Sequence, residues 1–207
     1  MREPEASTTL PRALDYLERL FVALLAVPFV IAFAQSLSVH PQFILIAASE
    51  LLAVVLILTR KRGEMAISAY AFFIAIVGTA MPLMIRPTDG AELVPVWLST
   101  TLMLIGLTFN VSAKLFLNRS FGIVAANRGV KRGGPYRIVR HPMYLGYIIT
   151  QVGFLLASFS LLNLMFYATA WVFQVLRIRE EEKLLLRDEA YASYSATVRH
   201  RLIPGIY

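Results

Sequence analysis

Six apolar runs, separated by charged or turn-forming stretches, constrain this 207-residue chain more than any other feature. They fall near 20–39, 43–59, 65–85, 94–117, 142–159 and 161–179. Most have the roughly 17–25 residues a helix needs to cross about 30 Å of hydrocarbon. The fifth is short and interrupted by Gln151 and Gly153. The fifth and sixth meet at Ser160-Leu161 with almost no loop, which predicts a tight helical hairpin. Hydrophobic residues make up 57% of the chain and charged ones 16%, against roughly 45–50% and 25% in soluble domains. The expected fold class is therefore an all-α integral membrane protein with about six transmembrane helices and a short cytoplasmic C-terminal helical segment. Residues 1–118 would form a polar arm (1–15) and a four-span bundle. Residues 119–207 would supply a loop, the two-span hairpin and a tail, all within one compact domain. Ala32-Phe33-Ala34 has the look of a signal-peptide cleavage site, but the region before it lacks a positive balance and its apolar run is long for such a segment.

Charge placement sets the expected sidedness. Of the 20 Lys and Arg residues, 19 fall in the N-terminal stretch, the 2–3 and 4–5 connections and the C-terminal stretch; only Arg86 falls elsewhere. Positive charge collects on cytoplasmic loops, so both termini and the long 4–5 loop are expected in the cytoplasm, as six spans require. The net charge of +7 then reflects membrane topology rather than nucleic-acid binding. The chain has no cysteine, which excludes disulfides, thiolate metal sites and a cysteine nucleophile. Its three histidines, His40, His141 and His200, are too scattered for a histidine metal centre, so no metal is expected.

The residues that carry chemistry gather at two places. The 4–5 loop ends Arg132-Gly133-Gly134-Pro135-Tyr136-Arg137-Ile138-Val139-Arg140-His141-Pro142. Two glycines and a proline mark a tight turn, and Pro142 suits the first turn of a helix. The unpaired N–H groups and dipole at such a helix start attract anions, and Arg140 and His141 flank it. His141 and Tyr144, three apart, share a face. Gly146 lets another backbone or a ligand come close. The second place is Arg177-Ile178-Arg179-Glu180-Glu181-Glu182-Lys183, where the sixth run leaves the membrane. Headgroup contacts for the arginines, and a solvated helix end laced by ion pairs, are the ordinary explanations of these two stretches. Glu50, deep in the second run, is costly to leave unpaired. Asn110 or Lys114 from the fourth run are its candidate partners, and a face on an acceptor tunnel is the alternative. Gln151 and Gln174 suit interhelical hydrogen bonds.

The segments RSFG (119–122), GGPYRIVRHPMYLG (133–146), RIREEEKLL (177–185) and YASYSATVRHRLIPGIY (191–207) resemble, in order and spacing, the isoprenylcysteine carboxyl methyltransferase and phospholipid methyltransferase superfamily. The resemblance implies a pocket for S-adenosylmethionine at the cytoplasmic face and a lipophilic small-molecule or lipid acceptor arriving from the membrane. Cofactor contacts carried over by it are Tyr136, Arg140, His141, Tyr144, Leu145, Gly146, Glu181 and Glu182, with Glu180 blurring the register of the acidic run. Arg177 and Arg201 are candidates to orient an acceptor, and Glu182 to serve as a base if the acceptor is an amine. Tyr191, Tyr194 and the tail at 201–204 either fold back over the cofactor or rest on the membrane surface.

Two other classes remain at the level of sequence. A sterol-type membrane reductase shares an RHP-like string and would place nicotinamide cofactor phosphates at the same helix start, but a 2′-phosphate wants more cations, whereas a sulfonium wants carboxylates. A transporter or regulatory protein would place its polar residues near the midplane, where only Glu50 sits.

Overall fold

The computed structural model describes residues 6–59, 64–65, 68–86, 90–120, 126–127 and 129–207. Within them the chain is built from seven α-helices: α1 (Ala6–Ser36), α2 (Ile44–Thr59), α3 (Ala69–Leu83), α4 (Val96–Leu117), α5 (Pro142–Ala157), α6 (Leu161–Leu185) and α7 (Glu189–Thr197). A two-residue ladder, Glu64–Met65 against Ala126–Asn127, ties the α2–α3 connection to the stretch after α4. Arg60, Lys61, Arg62, Arg128 and Phe121-Gly122 of the RSFG segment lie outside the described residues.

Helix ends follow local chemistry. Ser68, Ser160 and Asp188 each accept a hydrogen bond from the first turn of α3, α6 and α7, satisfying donors that have no intrahelical partner. Pro142 opens α5. Asn118, in the left-handed region at φ 49°, ends α4. The α5–α6 turn is as tight as expected: Phe159 exchanges backbone hydrogen bonds with Ala91 (2.9 and 3.1 Å), which pins the turn to the chain entering α4. Beyond the turn, however, α5 packs chiefly on α4 and α6 chiefly on α3.

One expectation needs correction. The polar arm assigned to 1–15 is helical from Ala6 onward, so α1 is 31 residues long and starts well before position 20. Leu10, Leu14, Leu17 and Phe21 recur at helical spacing and account for it. Among the described residues, three helices are long and apolar enough to cross a membrane by length and composition: α4, α6 and α1 from Arg19. With 16, 15 and 16 residues, α2, α3 and α5 span only about 24 Å each at 1.5 Å per residue. Leu24, Val27, Ile31, Val55, Phe73, Leu104, Leu162 and Val172 point their apolar side chains outward, as a hydrocarbon surrounding favours. The chain is an integral membrane protein.

The interior has two apolar clusters. One, at the end of the bundle where α5 starts, gathers Tyr136, Met143, Tyr144, Ile178, Tyr191, Tyr194 and Leu202. The other, at the far end, gathers Phe29, Phe33, Phe43, Met103, Phe154 and Tyr167.

Candidate functional site

The start of α5 and the end of α6 converge. His141, immediately before Pro142, is 6% exposed. Its Nε2 lies 2.8 Å from Glu182 Oε1 and its Nδ1 3.5 Å from Glu181 Oε2. An imidazole with a carboxylate at each nitrogen is held as the cation. Burial alone lowers the His141 pKa, but the hydrogen bonds and charges of Glu181 and Glu182 outweigh it, and the value rises above 6.5. Tyr144, one turn on, donates to Glu181 Oε1 at 2.6 Å.

The two glutamates divide the work. Glu182 Oε1 also accepts from the Tyr191 hydroxyl (2.6 Å), while Oε2 faces Arg140 Nη1 (3.0 Å) and Arg201 Nε (3.6 Å). Its side chain is 4% exposed. Glu181 touches only His141 and Tyr144 in these contacts, and its side chain is 19% exposed. Glu180 pairs with Lys183 on the surface (2.6 Å). The register left open by three adjacent glutamates is thus resolved in space: Glu180 turns outward, Glu182 ties the elements together, and Glu181 lines the partly open side.

The tail completes the cluster. Tyr191 and Tyr194 of α7 are buried, and the Tyr194 hydroxyl donates to the Tyr136 carbonyl (2.6 Å). Burial, with the Glu182 charge adding to it, pushes the Tyr194 hydroxyl up to about 12 against the opposing pull of Arg140. Burial likewise raises Tyr191 and Tyr136. These hydroxyls stay protonated, and those of Tyr191 and Tyr194 act as donors. The tail folds back onto the start of α5. Arg140 N–H donates to His200 O (3.0 Å) and His141 N–H to Arg201 O (2.8 Å). The open helix start expected at Pro142 is therefore narrower than the sequence suggested. Two backbone donors before it go to the tail, and among the described residues only Met143 and Tyr144 N–H in the first turn lack an acceptor.

Arg177 lies inward of Glu181 on α6. It is 9% exposed, its guanidinium 5.3 Å from the Tyr144 ring centroid and its Cδ close over Gly78 of α3. Arg201 sits on the outer side, against Glu182 and the Tyr207 ring (5.3 Å). Leu145 packs on the apolar cluster beneath. Gly146 is occupied by α4: a Cβ there would come within 2.5 Å of Asn110 N and 2.7 Å of Gly106 O, so of its two alternatives the close neighbour is a backbone. Tyr136 enters through its carbonyl and its buried ring. Sequence reasoning did not foresee Tyr191 as a partner of Glu182; its spacing of nine from Glu182 crosses a helix break at Leu186 and leaves no periodic signal. No group of three or more potential metal ligands occurs among the described residues.

The cluster therefore combines three guanidiniums and an imidazolium with two carboxylates at one end of an apolar bundle, in elements α4 to α7. Residues 96–187 match the isoprenylcysteine carboxyl methyltransferase (ICMT) family. The matched stretch runs from the first residue of α4 through the acidic run, so it reaches back across the 118/119 division drawn from the sequence. It contains every candidate site residue except Arg201. The matched segment is thus similar to a methyltransferase family, and it includes α4 and most of α6, both long and apolar enough to cross a membrane. Comparison with curated proteins gives no match.

Proposed function

We propose that the chain is an S-adenosylmethionine-dependent methyltransferase acting on a lipophilic acceptor, with its reaction site at the cytoplasmic end of the bundle. The observation that carries this is the pair of carboxylates opposed by cations where α5 begins and α6 ends. A zwitterionic ligand that also bears a sulfonium needs both signs within one small site; a dinucleotide phosphate would find Glu181 and Glu182 repulsive. The ICMT match supports the same reaction class.

When bound, S-adenosylmethionine supplies an electrophilic methyl carbon on a positive sulfur. The residues present suit it. The first-turn N–H groups of α5 and the His141 imidazolium would hold its carboxylate. Glu181, the less buried glutamate, would take its ammonium or ribose hydroxyls. Glu182 acts differently. With four partners already on its carboxylate, it holds His141 and the tail in place and is not positioned as a base. Arg201, on the outer side, serves the same anchoring and is not positioned toward an acceptor. Arg177, over the Tyr144 ring and flanked by apolar helices, would orient an acceptor. Methyl transfer needs alignment above all, and positioning alone lowers barriers by several kcal/mol. Both termini on the cytoplasmic side, with six helices traversing the bilayer, fit the distribution of basic residues.

Isothermal calorimetry on the purified protein tests this. S-adenosylmethionine is expected to bind, and Glu181→Gln to weaken it about tenfold or more, as expected when a hydrogen bond to a charged group is lost. The same variant should abolish transfer of a labelled methyl group to a membrane lipid extract while leaving thermal unfolding cooperative. Binding of the reduced nicotinamide dinucleotide phosphate with no response to S-adenosylmethionine would overturn the proposal.

A further inference from the structure

A recess inside the bundle, distinct from the charged rim, carries its own chemistry. It is narrow, with room for little more than one water-sized group, and Phe29, Ile46, Glu50, Tyr147, Gln151 and Tyr167 are among the residues that line it. It lies deeper than the rim: Tyr147 and Gln151 follow Tyr144 by three and seven residues on α5, or about 5 and 10 Å along the helix at 1.5 Å per residue. Tyr147 stands between the two sites. It is hydrogen-bonded to Asn110, covered by the Lys114 ammonium at 4.8 Å, and within electrostatic reach of both Glu50 and Arg177.

The polar groups of the recess are not matched to one another. Glu50 has Lys114 as its counter-charge, yet among the described residues no donor is hydrogen-bonded to its carboxylate. Tyr167 lines the recess too, within electrostatic reach of Glu50. The Gln151 side-chain oxygen accepts a hydrogen bond from Trp171 Nε1–H (2.6 Å), which leaves its amide N–H₂ as a donor. The recess thus offers one charge-compensated acceptor and a donor, within apolar and aromatic walls. A purely hydrocarbon chain would leave both unsatisfied in a low-dielectric interior, which is unfavourable. A second cation would overcharge a carboxylate that Lys114 already balances. A neutral hydroxyl, which donates once and accepts as well, meets every requirement.

We propose that the recess recognises a hydroxyl group on an otherwise apolar molecule. Taken with the methyltransferase reading, on which this extension rests, it defines the acceptor: a lipophilic compound whose methylated atom lies by Arg177 and Tyr144 and whose hydroxyl lies about 5–10 Å deeper along α5.

Trp171 is hydrogen-bonded to a lining residue and serves as the reporter. The other tryptophan, Trp97, is 69% exposed, and Trp97→Phe removes it. In that background, emission is followed during titration with 1-dodecanol, with dodecyl methyl ether (which accepts but cannot donate) and with dodecane. Dodecanol is expected to give a saturable change at about tenfold lower concentration than the ether, as loss of a hydrogen bond to a charged acceptor implies. Dodecane is expected to give none. Glu50→Gln should bring dodecanol and ether together. Equal responses to all three ligands, or a dodecanol response unchanged in Glu50→Gln, would overturn the proposal. If Glu50→Gln does not fold, the comparison of dodecanol with its ether in the Glu50-containing protein decides alone. The assay needs no methyl donor, so its outcome is independent of the calorimetric test of the reaction.

Discussion

At the scale of single residues, the neighbouring glutamates should behave as opposites. Glu182 is buried against two guanidiniums, an imidazolium and a phenol. Removing its charge strands Arg140 and His141 in the interior, so Glu182→Gln should destabilise the protein by about 3 kcal/mol. Glu181→Gln should cost less, since its side chain is partly exposed, while carrying the larger loss of ligand affinity. Thermal unfolding in detergent, paired with calorimetry, separates the two; equal stability losses would refute the division. His141 adds a pH signature. It is faced by Glu181 and Glu182 from α6, by Tyr144 beneath and by Arg140 beside it. Its pKa in the folded protein is raised above 6.5. A group whose folded pKa is raised binds protons more tightly when folded, so its contribution is complete below pH 6.5 and is lost as pH rises through the raised value. The unfolding temperature should therefore decline on the alkaline side of 6.5, and His141→Gln should flatten that decline. An unchanged slope in the variant would place the titration elsewhere.

At the scale of elements, the site depends on how closely α5 lies against α4. Gly106, Gly146 and Gly153 form the seam. A Cβ on Gly146 would press on the Asn110 backbone, and one on Gly153 would lie 2.9 Å from Met103 N and 3.0 Å from Ser99 O. Small residues that admit this approach are the usual means of association inside membranes. The Asn110 side chain adds a hydrogen bond to Met143 O (3.0 Å) in the first turn of α5. Gly146→Ala should therefore part the helices, destabilise by about 1–3 kcal/mol, and weaken S-adenosylmethionine binding although its methyl group touches no ligand; stability and affinity left at their original values would show that the seam is not under such constraint. Parts of this arrangement are legible in the sequence. Pro142 marks the start of α5, because its ring both suits that position and lacks the donor that would go unpaired there. Glu50 is legible as a carboxylate that needs a polar partner, with Asn110 and Lys114 of α4 both on offer; that Lys114 supplies the counter-charge comes from the structure. The assignment of Glu181 and Glu182 is not legible: adjacent residues point about 100° apart on a helix, and only the position of α7 determines which faces inward. The docking of α7 is equally hidden, since buried tyrosines and tyrosines at a headgroup layer give the same spacing.

At the scale of the whole molecule, the candidate site residues lie at one end of the bundle and in the recess beneath it, and the outward apolar side chains give much of the remaining surface to lipid. The end that carries the rim cluster also carries most of the described basic residues: Arg132, Arg137, Arg140, Arg179, Lys183, Arg187, Arg199 and Arg201 all belong to the segments around the α5 start, the α6 end and the tail, while Arg86 follows α3 at the other end and packs on Asn163 near the α6 start. That asymmetry is what orients a membrane protein, with the basic end cytoplasmic, and it can be measured directly because the chain contains no cysteine. Single cysteines at Glu92, exposed before α4, and at Arg187, exposed after α6, provide one reporter for each end. In sealed vesicles of known orientation, a membrane-impermeant maleimide should label Arg187→Cys only when the cytoplasmic face is outward, and Glu92→Cys only when it is inward. Labelling of both from one side would mean that the bundle lies in the membrane without traversing it between these positions, and a donor dissolved in the cytoplasm would then have no privileged route to His141.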